Sequence, residues 1–322
     1  MESHPPMTTR ADATGRHRKR GNRLGFWFFK ATIRLFGLRG AYGLVHLVCL
    51  HYLFFDRQSV EATMAYIRRR FPGRGYMARI LGVYRILVNQ GKSLVDRYYL
   101  ISGLGTFEYE VQGYDEIKRI LKDSDKGLVL LTAHVGNWQV TMNSLGRLDN
   151  TVRLLMRPED NAAVKETLDV YPHGDKVKTI STASFMGGMI ECAKALDNGE
   201  LVSIMGDRIY GADWTTARIL GAEARFPHAA FTLAAATERP VVVVLSGKIS
   251  TKKYSVDLSH IIRTRYTSRK DRQKDIEKWV QEYATILEEY SGEYPYQWYL
   301  FHDIWAGAER QAPPPGHGGD GS

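Results

Sequence analysis

A 322-residue chain with 44% hydrophobic residues has enough apolar surface for a substantial core and enough length for one large domain with an added helical segment. Its formal net charge of +9 asks for an acidic partner: nucleic acid, an anionic membrane or an acidic carrier protein. Cys49 and Cys192 are too far apart for a compact metal motif, and their apolar settings read as core or membrane-facing rather than catalytic.

Residues 1–23 form a polar, basic arm without the composition to fold, with Arg16, Arg18, Lys19, Arg20 and Arg23 close together. An apolar stretch follows from Leu24 to Phe55. Lys30, Arg34 and Arg39 interrupt it at helical spacings, and its longest charge-free part, Gly40 to Phe55, falls short of the roughly 20 residues that cross a bilayer comfortably. We read it as a membrane-surface or partly inserted helical anchor, with Phe26, Trp27, Phe28, Phe29, Leu35 and Phe36 entering the interface. A buried helical hairpin is the plainer alternative. The whole of 24–100 reads as mostly helical and membrane-associated, broken at Phe71-Pro72-Gly73-Arg74-Gly75.

From 101 to 306 the pattern changes to an α/β domain. Thr106–Val111 alternates like a half-exposed strand, and Asp115–Leu121 suggests a short helix. Apolar runs at 127–133, 151–156, 201–205 and 240–246 predict buried strands. Helical stretches near 137–147, 159–169, 184–197 and 228–237 lie between or after them. A strand pair at 241–249 and 253–259 and a charged amphipathic helix at 270–290 complete the expectation of a central mixed sheet covered by helices. Residues 307–322, rich in Pro and Gly, read as a loose tail.

Four places carry candidate chemistry. His134 stands at the end of the first buried run and is followed by Gly136 and Asn137. An imidazole there can take a proton from an alcohol or amine near neutral pH, although a lone histidine beside an apolar run is usually structural. Gly136 permits close approach of a substrate. Asn137 offers either a substrate hydrogen bond or a cap for the next helix, and Trp138 reads as packing. Gly206-Asp207-Arg208 ends another strand, with Arg208 able to grip a phosphate or carboxylate; an internal Asp207–Arg208 ion pair is the alternative. Arg225-Phe226-Pro227-His228 precedes an apolar helix, where main-chain amides and a helix N-terminus can meet an anion. The aromatic block Tyr294–Trp305 suits a lid or an interfacial belt, and His302-Asp303 has no metal-ligand pattern around it.

Taken in order, Ser93-Leu94-Val95-Asp96-Arg97, LLTAHVGNW, SIMGDR, Ile219–Pro227, Arg239-Pro240-Val241 and PYQWYLFHDIW resemble the lipid A biosynthesis acyltransferase family of the lysophospholipid acyltransferase superfamily, over roughly residues 25–305. Within it the chain looks most similar to predicted acyltransferases of aryl-polyene or xanthomonadin-type lipid pathways. The resemblance implies transfer of a fatty acyl group from acyl-carrier protein or acyl-CoA to a hydroxyl or amine of a glycolipid or phospholipid. It also implies a place at the cytoplasmic face of the inner membrane, against anionic lipids, with no metal or redox cofactor. The family signature is His, four residues, then Asp or Glu. It falls on His134 and Gln139, so an amide stands where the family has an acid. Gln139 is then expected to orient the imidazole from the first turn of the following helix, and Asp207 is the candidate for the missing charge. By position, Arg208 and Arg225, with Phe226, Pro227 and Asn137, fall to substrate and donor anions. A lipid- or carrier-binding relative without activity is the competing reading. A nucleic-acid partner is set aside, since no recognition fold or base-reading motif accompanies the charge.

Overall fold

The computed structural model describes residues 23–145, 148, 150–156, 176–209 and 213–307. Nearly all of the basic arm, the helix expected at 159–169 and nearly all of the tail lie outside these residues. The apolar segment is one long helix, α1 (Arg23–Phe55), with non-helical backbone at Gly37. Asp56 caps α2 (Arg57–Arg70) by accepting a hydrogen bond from the Ser59 amide at 3.3 Å. After the Pro72-Gly73 break, α3 (Tyr76–Ile101) runs back along α1. Ile33, Leu38, Ala41, Tyr42, Val45 and Cys49 turn the inner side of α1 into core, while Leu35, Phe36, Leu47, Leu50, Phe54 and Phe55 are exposed. By length and composition Phe29–Phe55 is apolar enough to cross a membrane, with 33% of its most apolar window buried in the protein. The helix is therefore longer than its charge-free part suggests, and one side of it is committed to the protein. The side chains of Phe26, Trp27 and Phe28 lie outside the described set, and Phe29 is half-buried.

The body is a mixed sheet of eight strands. They are β1 (Glu108–Gln112), β2 (Val129–Thr132), β3 (Val152–Met156), β4 (Val177–Ser181), β5 (Leu201–Met205), β8 (Pro240–Ser250), β9 (Lys253–Asp257) and β10 (Ile261–Arg263). Their order is β1-β9-β8-β2-β5-β3-β4, with β10 antiparallel beside β8. β2 lies between β5 and β8, parallel to both, which explains its uninterrupted apolar run. Alternate residues serve opposite cores. Val129 and Leu131 join the core shared with α3, α7 (Ala229–Ala236) and α8 (Arg272–Glu293), and Leu128 and Leu130 join the one under α4 (Tyr114–Lys122) and α5 (Trp138–Ser144). Each such side chain contributes about 1.5–3 kcal/mol on leaving water.

The helical layer is tied to the sheet by a buried cluster. Asp96 of α3 accepts hydrogen bonds from Lys248 of β8, Tyr254 of β9 and Tyr42 of α1. Burial raises the Asp96 carboxyl, opposed by Lys248 and the two phenols.

The expected mixed sheet covered by helices is the observed one. Three details differ. β4 is mostly accessible to solvent and has no apolar run to announce it. The stretch 184–197 begins with a 3₁₀ turn, Phe185–Gly188, before α6 (Met189–Asp197). Residues 214–227 form a separate hairpin, β6 (Trp214–Ile219) and β7 (Ala222–Pro227), so Arg225, Phe226 and Pro227 belong to a strand and not to a turn before a helix. The hairpin loop is Leu220-Gly221, both at positive φ, which suits a two-residue turn but costs a leucine backbone strain. Its edge is held by α8, where Gln281 bonds both main-chain groups of Arg218 and Glu288 accepts from the Leu220 amide.

Candidate active site

The site begins with strand register. Thr132 at the end of β2 pairs with Met205 at the end of β5 in a parallel ladder. Two residues beyond these strand ends stand His134 and Asp207, beside each other at the carboxyl end of the sheet. The Asp207 carboxylate accepts the His134 Nδ1–H at 2.7 Å and, through its other oxygen, the His134 amide at 2.8 Å and the Trp298 indole N–H at 3.0 Å. Asp207 is wholly buried. Burial alone raises a carboxyl, but here the His134 charge and these hydrogen bonds outweigh it and hold Asp207 well below the usual carboxylate range.

An ionised carboxylate only accepts hydrogen bonds, so Nδ1 of His134 carries the proton of this bond, and in the neutral form of the ring the lone pair lies at Nε2. The His134 side chain is 23% exposed, and Nε2 has no hydrogen bond to any described residue. This is the arrangement of an imidazole ready to accept a proton at Nε2, with a buried anion behind it to stabilise the resulting cation.

The turn after His134 is fixed on several sides. Gly136 has φ +52°, and a Cβ there would come 1.8 Å from the Ser246 carbonyl oxygen. The closing segment pairs with this turn like a short strand. Val135 bridges Trp298, the Gly136 amide bonds the Gln297 carbonyl at 2.8 Å, and the Tyr299 amide bonds the His134 carbonyl at 2.8 Å. The aromatic block is therefore woven into the site, with Trp298 buried edge-on against Tyr66.

Gln139 lies in the first turn of α5, half-buried, and makes no hydrogen bond to His134. The expectation that it orients the imidazole is corrected here: Nδ1 is already bonded to Asp207. Asn137 is a cap. Its Oδ1 accepts the Val140 amide at 3.3 Å, its Nδ2 donates to the Ser93 carbonyl at 2.8 Å, and the residue is 3% exposed. Its amide is used inside the protein rather than toward a substrate. Arg208 is half-buried and makes no ion pair with a described residue, because the Asp207 carboxylate is turned to His134 and Trp298. Arg225 stacks over the Trp214 ring at 4.3 Å and donates to the Gly307 carbonyl, and its main-chain amide bonds Ile304. Phe226 is fully buried edge-on against Tyr283, and half-buried Pro227 ends β7. The sequence reading missed Trp298 as a carboxylate partner and His302, whose Nε2 bonds the Asp207 carbonyl at 3.1 Å. Their aromatic surroundings gave the only local signal.

Among the described residues no group of three or more His, Cys, Asp or Glu side chains is arranged to hold a metal ion.

Residues 105–306, the α/β body with both His134 and Asp207, match the family of bacterial lipid A biosynthesis acyltransferases. The chain belongs to that family. Among solved structures it is similar to the 1-acyl-sn-glycerophosphate (LPA) acyltransferase PlsC from Thermotoga maritima, at 14% identity and a TM-score of 0.35, over 77% of this chain and 98% of that one. A search of curated proteins finds no match. This member of the acyltransferase family thus places an acid beside its histidine from the next strand.

Proposed function

We propose that this protein is an active acyltransferase that moves a fatty acyl group from a thioester donor, acyl-carrier protein or acyl-CoA, to a hydroxyl or amine of an envelope lipid. The observation that carries this reading is the 2.7 Å bond between His134 Nδ1 and the buried Asp207 carboxylate. His134 Nε2 takes the proton of the acceptor as its oxygen or nitrogen attacks the thioester carbonyl. The imidazolium that forms faces Asp207. When the tetrahedral intermediate collapses, the carbon–sulfur bond breaks and His134 returns the proton to the departing thiolate. The acylated lipid and a free thiol leave, and no redox or metal cofactor enters the balance. Arg208 is the candidate contact for a donor or acceptor phosphate, because no described carboxylate pairs with it.

The same reading puts the protein on the cytoplasmic face of the inner membrane. The exposed side of α1, with Leu35, Phe36, Leu47, Leu50, Phe54 and Phe55, meets anionic lipid while its inner side stays on the body. The acceptor is a glycolipid, a phospholipid or a related envelope lipid. The test is acyl transfer by purified protein from labelled acyl-carrier protein and acyl-CoA to extracted envelope lipids. Transfer abolished by His134→Ala supports the proposal. Binding of donors without turnover by the native protein sinks it.

A further inference from the structure

His302 has no part in the proton transfer above, yet it sits directly behind the acid that makes it work. Its Nε2 lies 3.1 Å from the main-chain carbonyl oxygen of Asp207. A carbonyl oxygen can only accept, so Nε2 carries a proton. The other nitrogen, Nδ1, is buried and has no partner among the described residues. A second proton there would be a buried donor with no acceptor. It would also add positive charge near Arg208 and His134, against the opposing pull of Asp207. Burial first, then those two charges, hold His302 below the ordinary imidazole range. The geometry therefore favours the neutral Nε2–H tautomer, a donor to the Asp207 carbonyl.

The main-chain carbonyl it binds belongs to the residue whose side chain holds His134. Asp207 lies two residues past the end of β5, after Gly206, whose amide bonds the Thr132 carbonyl at 2.8 Å, and before Arg208. The side chain of Asp207 is set by Trp298 and His134, but its peptide has its own tether in His302.

We propose that His302 is a positioning residue for the catalytic pair: its Nε2–H clamps the Asp207 peptide so that the carboxylate stays on His134 Nδ1 and the next residue, Arg208, keeps its place. Without the clamp the peptide can rotate, the carboxylate shifts from the imidazole, and catalysis falls even though His134, Asp207 and Arg208 are all present. A misplacement of about 1 Å in such a constellation costs on the order of 100-fold in rate. This inference rests on the acyltransferase reading for its kinetic effect, but its structural content does not.

The experiment compares full-length native protein with His302→Ala, His302→Gln and His302→Asn. Glutamine carries its amide N–H near the place of imidazole Nε2, whereas asparagine's amide is too short to reach the Asp207 carbonyl. The first readout needs no turnover: the far-downfield proton resonance of a histidine Nδ1–H bonded to a carboxylate, assigned by its loss in Asp207→Asn. The native protein and His302→Gln should show it, and His302→Ala and His302→Asn should lose or broaden it. The second readout is kinetic. His302→Ala should lose at least tenfold in kcat with KM nearly unchanged, and His302→Gln should recover most of that loss. A folded His302→Ala with the native resonance and native kcat overturns the proposal. Should His302→Ala fail to fold, the Gln and Asn variants decide it: Gln native-like with Asn impaired supports the clamp, and the two alike overturn it. Absence of acyl transfer by the native protein defeats the acyltransferase reading alone and leaves the resonance test standing.

Discussion

Asp207 and His134 are 73 residues apart in the chain and 2.7 Å apart at the carboxylate and Nδ1, because their strands are neighbours in register. The acid that a short local motif would place at position 139 arrives instead from the next strand. Exchanging it is the most damaging small change we expect. Asp207→Asn keeps the shape but offers Nδ1 an amide that cannot neutralise the imidazolium and can present the wrong hydrogen. Transfer should fall by on the order of 10³-fold or more, by analogy with the loss when the orienting Asp of a serine-protease triad becomes Asn. Thermal unfolding and circular dichroism should show the fold intact.

Gln139→Leu should behave quite differently. Gln139 has no hydrogen bond to His134, so losing its amide removes no group from the catalytic pair. Transfer should stay within a factor of a few of the native rate under saturating donor. A collapse of activity in a folded Gln139→Leu would return the orienting role to Gln139.

Trp298→Phe tests the second support of the acid. It removes the indole N–H that donates to Asp207 and preserves an aromatic ring against Tyr66. A hydrogen bond to a charged group contributes about 1.5–3 kcal/mol, so chemical denaturation should show a loss of that order. The sign with pH follows from a carboxyl held below its unfolded value of 3.8. Its stabilisation is fully present above that value and is lost as the pH falls through the folded-state value. The gap between native and variant should be constant above 3.8 and narrow only in stronger acid, where the variant's carboxyl takes up a proton first.

Gly136→Ala should be worse for folding than for any single contact. Its φ of +52° costs a non-glycine residue about 1–3 kcal/mol, and the new Cβ would meet the Ser246 carbonyl, a backbone group that cannot swing aside. We expect a lowered melting temperature and loss of activity together.

The outward side of α1 predicts a separable effect on location. Replacing Leu47 and Phe54 together with Asp should move the protein from sedimenting with anionic vesicles toward the supernatant, and leave the melting temperature of the body nearly unchanged, because both side chains are exposed. Equal sedimentation of native and variant proteins would remove α1 as the membrane contact.

How much of this was legible in the sequence depended on whether the signal was local. His134 was visible because β2 is buried on both faces and reads as an unbroken apolar run ending at a histidine. Asp207 was visible as the end of a similar run, but its distance from His134 is decided by strand order and register, which no window of residues contains. The hairpin that carries Arg225 was hidden by its loop, where Leu220 occupies a positive-φ position that Asn or Gly usually marks. Trp298 and His302 were seen only as part of an aromatic run. Their roles depend on a short antiparallel bridge between Val135 and Trp298, and a single residue pair leaves no periodic trace.

The central claim is that His134 acts as a base with Asp207, and not Gln139, behind it. Single-turnover transfer of a labelled acyl group from saturating acyl-carrier protein or acyl-CoA, measured side by side for the native protein, His134→Ala, Asp207→Asn and Gln139→Leu, tests it directly. The account predicts no transfer above background for His134→Ala, a severe loss for Asp207→Asn and a near-native rate for Gln139→Leu. A folded Asp207→Asn that transfers at the native rate would contradict it.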